Sequence, residues 1–166
     1  MKVFKEEQRF TQLWLIVLLA VSLIVPIGIL FQEYNKPESS LSLNKLIIFI
    51  VVILLTALLI FTFKLTTRID EKGIYYQFFP FHLKLKLIAW QDISKAYVRN
   101  YSPISDYGGW GLKGGWSSAK GKAINVSGDV GIQLELKTGK KLLIGTNKES
   151  EAKRVLATYS SKIEIL

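Results

Sequence analysis

Two long stretches without a charged residue restrict what this chain can fold into. Phe10 to Phe31 is a run of 22 such residues, and Leu46 to Phe63 is a run of 18 bracketed by Lys45 and Lys64. As helices rising ~1.5 Å per residue they reach roughly 33 and 27 Å, close to the ~30 Å of a bilayer's hydrocarbon core. The spacing predicts two transmembrane helices, over about residues 10–31 and 46–63, joined by the polar turn Asn35-Lys36-Pro37-Glu38-Ser39-Ser40. A cleaved leader is the poorer reading. Lys2, Lys5 and Arg9 supply a positive start, but the apolar run is too long and Phe31-Gln32-Glu33-Tyr34 offers no small-residue cleavage site. Pro26 and Gly28 fall near one end of the first helix, where a membrane span tolerates them. Neither stretch holds an ionisable residue, which argues against a proton relay or ion pathway through these helices.

Flanking basic residues set the expected orientation. Lys2, Lys5 and Arg9 precede the first stretch, Lys64, Arg68 and Lys72 follow the second, and the loop between them carries only Lys36. The expectation is a two-pass protein of the inner (cytoplasmic) membrane with both termini on the cytoplasmic side. Charge is divided as unevenly as hydropathy. The net charge is +9, and residues 64–166 hold 17 Lys and Arg against 9 Asp and Glu. A basic domain beside a bilayer suits anionic headgroups, although a charged surface also serves plain solubility. The chain has no cysteine and one histidine, His82, which excludes disulfides, thiolate catalysis and multi-histidine metal sites. No metal or cofactor is expected.

Beyond Phe63 the pattern is that of strands. Leu65–Asp70 and Gly73–Phe79 read as a pair around the turn Glu71-Lys72-Gly73. From Phe81 to Leu87, apolar Phe81, Leu83, Leu85 and Leu87 alternate with His82, Lys84 and Lys86. A period of two assigns the apolar set to a core and the basic set to the opposite face. Trp90-Gln91-Asp92-Ile93 reads as a short turn with Trp90 buried, followed by a strand over Ala96–Tyr101 that ends at Ser102-Pro103. Val130–Leu136 and Lys141–Gly145 flank a hairpin turn at Lys137-Thr138-Gly139-Lys140. A helix is expected from about Asn147, capped by Thr146 or Asn147, with Ala152, Val155, Leu156 and Tyr159 as its apolar stripe.

The expected fold is therefore α+β: a transmembrane helical hairpin over residues 1–63, then a mostly antiparallel β barrel or sandwich of about seven strands with a C-terminal helix over residues 64–166. This order resembles the pleckstrin-homology (PH) superfold, in particular the bacterial PH-like domains that follow a pair of transmembrane helices. The resemblance spans most of residues 64–160. It is carried by the strand–helix order, Trp90-Gln91-Asp92-Ile93, Tyr107-Gly108-Gly109-Trp110-Gly111, and Gly131-Ile132-Gln133-Leu134 with Leu143-Ile144-Gly145-Thr146. It implies a binding or scaffolding role at the membrane.

Two groups of residues are candidate binding sites. The stretch 107–122 is rich in glycine and contains Trp110, Lys113, Trp116, Lys120 and Lys122. Gly109–Gly114 matches a dinucleotide-binding spacing, but Gly115-Trp116-Ser117-Ser118 is a poor helix start to receive a pyrophosphate. The lysines suit phosphate contacts, while Trp110 serves either recognition or a fold-back plug on the domain. The second group is Lys84 and Lys86 beside His82, with Arg99 joining them; its ordinary alternative is the polar face of a half-exposed sheet. His82 itself reads as a surface residue. Asp70, Asp92, Asp106 and Asp129 are scattered without a paired-carboxylate or nucleophile–histidine spacing, so no enzymatic role is expected. The basic surface lacks a nucleic-acid recognition motif. The expected partners are the lipid bilayer, together with a protein or anionic lipid headgroups bound at the cytoplasmic face. The alternative is a structural subunit of a membrane oligomer, such as a homo-oligomer, or of a larger complex, with no ligand site of its own.

Overall fold

The computed structural model describes residues 3–115 and 120–164. Lys2, Trp116, Ser117 and Ser118, which enter the sequence reading, lie outside the described residues. The chain divides into two units, residues 10–63 and a second made of residues 1–9 with 64–166.

The first unit is a pair of helices, α1 (Leu13–Tyr34) and α2 (Leu43–Thr62). Both are long and apolar enough to cross a membrane, and only 6% of each apolar stretch is buried. A core helix of a globular protein would hide most of such a surface. α1 starts three residues later than the uncharged stretch suggests, because Gln12 keeps an extended backbone as its N-cap. It then runs through Pro26 to Tyr34, since polar Gln32 and Glu33 continue a helix as readily as apolar residues. α2 begins before Lys45, following extended Ser42. The rings of Phe10 and Phe63 meet edge to face at 6.2 Å, joining the two ends of this unit.

The second unit corrects the boundary expected at residue 63. Residues Phe4–Arg9 form strand β1, which pairs antiparallel with β2 (Lys64–Asp70) from Phe4 opposite Ile69 to Arg9 opposite Lys64. Phe4, Glu6 and Gln8 are buried while Lys5, Glu7 and Arg9 are exposed. The alternation is present in the sequence, but its inward set includes two polar side chains, which hides a strand from a hydrophobic pattern. Both polar residues are bound at their burial sites. Glu6 accepts from the Thr146 hydroxyl (2.6 Å) and the Asn147 amide (2.8 Å), and Gln8 donates to the Gly145 carbonyl (2.8 Å). The helical hairpin is thus inserted between two neighbouring strands of one sheet.

That sheet continues with β3 (Gly73–Phe79) and β4 (Lys86–Ala89), in the order β1-β2-β3-β4. A single-turn 3₁₀ segment at Trp90–Asp92 leads into β5 (Ile93–Asn100). The second sheet has the order β5-β8-β9-β7-β6, with β6 at Gly111–Gly114, β7 at Lys122–Asn125, β8 at Val130–Leu136 and β9 at Lys141–Gly145. All its pairings are antiparallel except β7 with β9. Among the described residues there are two sheets and no closed barrel. Among the described residues, 64–166 hold eight strands where about seven are expected, and β1 adds a ninth; β1, β6 and β7 carry too little apolar alternation to register.

Between β5 and β6 a short helix, α3 (Pro103–Tyr107), begins at Ser102. The Ser102 hydroxyl accepts from the Ser105 amide (3.2 Å), and Asp106 accepts in return from the Ser102 amide (3.0 Å). Gly108, with φ 74°, ends it. The C-terminal helix α4 (Glu149–Tyr159) buries Ala152, Val155, Leu156 and Tyr159, the stripe expected from sequence, and α5 (Ser161–Glu164) follows. Its N-cap is Lys148 rather than Thr146 or Asn147, because those two are held by Glu6 of β1. Trp90 is buried, stacks on Tyr159 with ring centroids 5.3 Å apart, and donates its indole N–H to the Asp70 carbonyl (2.9 Å).

Candidate functional site

The residues Phe81–Leu87 do not form the strand their alternation suggests. Only Lys86–Ala89 pairs with β3, and Pro80–Leu85 is a loop wrapped around the end of that strand. The His82 amide donates to the Phe78 carbonyl (2.8 Å), and the Gln77 side chain donates to the His82 and Leu83 carbonyls (3.1 and 3.0 Å). This overturns the burial expected for the apolar residues and for His82, while Lys84 and Lys86 are exposed as expected. Phe81, Leu83, Leu85 and Leu87 are 61%, 78%, 45% and 47% exposed, whereas His82 is buried at 6%. The physical reason is the inward histidine. Its Nδ1 accepts from the Phe78 amide (3.3 Å) and its ring meets Tyr76 edge to face, so the loop turns on His82 rather than on its apolar neighbours.

Lys86 and Lys122 lie near enough to this histidine for their charges to act on it. Lys86 stands opposite Tyr76 in the β3–β4 register and so shares the face of buried Ile74, Tyr76 and Phe78. Lys122 stands opposite Leu142 and shares a face with Ile124 and Ile144. The alternate residues of these strands, Ala123 and Leu143, pack on Tyr101 and Tyr107 on the other side. Both lysines therefore stand at the ends of strands on the inner faces of their sheets, Lys86 exposed and Lys122 half-buried. Their charges act on each other. The Lys122 ammonium is held below its ordinary pKa by burial and then by Lys86, and the His82 imidazole is lowered by burial, then by Lys86 and Lys122. A neutral His82 fits the hydrogen bond it accepts at Nδ1. Lys84, exposed in the same loop, extends this basic group. An anion placed among these cations would ease the repulsion between them.

The remaining candidates are elsewhere. Arg99 and Lys120 lie on the outer face of the second sheet, around a hollow of about 230 Å³ that Asp106 and Glu135 also line. Arg99 donates to Gln133 (3.1 Å) and to the Tyr107 hydroxyl (3.2 Å), and Lys120 pairs with Asp106 at 2.7 Å. That ion pair, with the Ser102 amide, holds the Asp106 carboxyl below its usual range. These cations are balanced by carboxylates and spent on the fold. Lys113, opposite Ala123 in the β6–β7 register, faces the same outer side. Trp110 is half-buried and directs its indole N–H to the Gly128 carbonyl (3.4 Å), an arrangement in keeping with the plug reading. Neither of the two expected groups holds together: Arg99 separates from Lys84 and Lys86, and Lys122 from Lys113 and Lys120. The spacing of Gly109–Gly114 leads into strand β6 rather than into a helix, so it forms no phosphate-receiving helix start.

No protein-family model matches this chain, and no curated protein matches it. The geometry of the site therefore stands by itself. The pairing of Lys86 with Lys122 escaped sequence reasoning because it spans two sheets. The available signal was His82, whose place in an otherwise apolar–basic alternation marks the turn.

One further relation locates the site. Arg9, Lys64 and Phe79 are successive neighbours across β1, β2 and β3. The chain enters the helical unit after Arg9 and leaves it before Lys64. The loop carrying His82 and Lys84 thus follows the strand end beside both connections.

Proposed function

We propose that this chain is a two-pass membrane protein whose β unit binds anionic, phosphate-bearing lipid headgroups at the cytoplasmic face, through Lys86 and Lys122 with Lys84 assisting. The observation that carries this reading is the position of Lys86 and Lys122 near His82, at the end of the sheet adjoining both helix connections. Two antiparallel strands joined through the hairpin support placing its two ends on one side of the bilayer. The basic residues of β1 and β2 favour the cytoplasmic side. Two sheets followed by a C-terminal helix are compatible with the resemblance to bacterial PH-like membrane proteins, and that resemblance supports a binding rather than a catalytic role.

The test is native mass spectrometry of the whole chain in mild detergent, with phosphatidylglycerol and phosphatidylcholine offered in equal amounts. Preferential retention of phosphatidylglycerol is expected. At about 1 kcal/mol per basic group, the double substitution Lys86→Gln with Lys122→Gln should weaken it by roughly tenfold to thirtyfold. Equal retention of the two lipids, unchanged by the substitutions, would leave the basic pair without this role.

A further inference from the structure

The exposed apolar side chains of the Pro80–Leu85 loop and the start of β4 have no counterpart in the headgroup site. Leu83 and Leu85 project from a loop whose backbone is tied to Phe78 and Gln77, and Phe81 stacks one ring face on Phe78 while leaving the rest exposed, so their exposure belongs to an ordered turn rather than a loose one. They alternate with Lys84 and Lys86, giving a short segment with apolar tips and ammonium groups at intermediate positions. A bilayer interface presents the complementary order, with phosphates outside and acyl chains beneath. The loop also follows Phe79, the neighbour of Lys64, where the chain returns from an apolar helix.

We infer that this loop is a membrane-insertion element: Phe81, Leu83 and Leu85 enter the acyl boundary of the same leaflet while Lys84 stays among the phosphates. The inference rests on the proposed membrane location and deepens the headgroup reading, because insertion would hold Lys86 and Lys122 at phosphate depth. An apolar protein surface is the competing occupant, but it would leave the interleaved lysines without a use.

Since the sequence has no cysteine, Leu83→Cys creates a single labelling site at an exposed position. Lys72→Cys, in the β2–β3 turn at the opposite end of the sheet, is the reference; seven residues of strand separate it from Lys64 by roughly 20 Å. Each whole chain carries an environment-sensitive fluorophore and is reconstituted in vesicles of phosphatidylcholine alone or mixed with phosphatidylglycerol. The vesicles contain lipids spin-labelled high on the acyl chain. Blue-shifted emission quenched by these lipids at position 83, with neither change at position 72, is the expected result. Water-like, unquenched emission at position 83 overturns the inference. So does blue-shifted emission that the lipids fail to quench, which would mean that a protein surface covers the loop. Insertion and headgroup selectivity fail separately. Loss of selectivity appears as equal retention of phosphatidylglycerol and phosphatidylcholine with quenching at position 83 preserved, and loss of insertion as preferential phosphatidylglycerol retention without that quenching.

Discussion

Arg9 and Lys64 stand opposite each other at the end of β1 and β2, although the whole helical unit lies between them in sequence. The pairing makes the N-terminal residues part of the β unit's sheet. It also means that the first strand must be synthesised before the hairpin and matched to its partner afterwards, a long-range closure.

It follows that residues 64–166 alone lack an edge strand. Phe4 would leave an open site against Ile69 and its neighbours, and Thr146 and the Asn147 amide would lose Glu6. A chain lacking residues 1–63 is expected to fail to give a cooperative thermal transition. One that joins residues 3–9 to 64–166 through a short Gly-Ser turn should regain it. In the whole chain, Phe4→Ala should cost about 3–5 kcal/mol, the range for truncating a buried aromatic. Independent folding of 64–166 with undiminished stability would contradict the role given to β1.

His82 predicts a pH dependence of stability. Burial, then Lys86 and Lys122, depress its pKa below the ordinary 6.5. An unfolded chain takes up the proton at the ordinary value and the folded chain only at lower pH, so acid favours unfolding. The contribution is present above about 6.5 and is lost as pH falls through that value and the depressed folded one. His82→Gln keeps an acceptor for the Phe78 amide and should flatten the stability profile across this window. A profile identical to that of the parent chain would show that His82 does not titrate with folding.

Two basic groups that composition alone does not separate should behave differently. Arg99→Gln and Lys120→Gln are expected to leave phosphatidylglycerol retention unchanged, because Lys120 is already paired with Asp106 and Arg99 is engaged by Gln133 and Tyr107 on the outer side of the second sheet. If they reduced retention as much as the Lys86 and Lys122 changes, a diffuse surface charge would explain binding better than a site.

Gly145 allows a close approach within the second sheet. A Cβ there would lie 2.9 Å from the Asn125 Cβ and 3.1 Å from its Cα. Asn125 cannot yield easily, since it donates to Tyr101 (2.8 Å) and accepts from the Gly111 amide (2.8 Å). Gly145→Ala should therefore destabilise the chain by about 1–3 kcal/mol, measured by chemical unfolding. In the same network, burial pushes the Tyr101 hydroxyl up to about 12, so it should not ionise before the domain unfolds in alkali.

Much of the fold can be read locally. The uncharged runs mark the two apolar helices, β8 and β9 match their alternation and turn residues, and the buried stripe of α4 follows from helical spacing. These elements are specified by the period of their own side chains, which a single chain displays. Phe81–Leu87 has an equally clear period, yet of these residues only His82 is buried, because Pro80–Leu85 is a loop and has no two faces for the alternation to name. Here the contacts of His82 with Phe78 and Tyr76 decide which side chain turns inward. The sequence by itself determined the apolar helices, the strand-rich basic remainder and the closing helix. Only the tertiary structure decided that Phe4–Arg9 joins the sheet, that Lys86 and Lys122 act on His82 together, and that Arg99 turns to Gln133 and Tyr107 and Lys120 to Asp106. Those outcomes depend on pairings between distant strands, and no local pattern of residues encodes which strand a given edge will find.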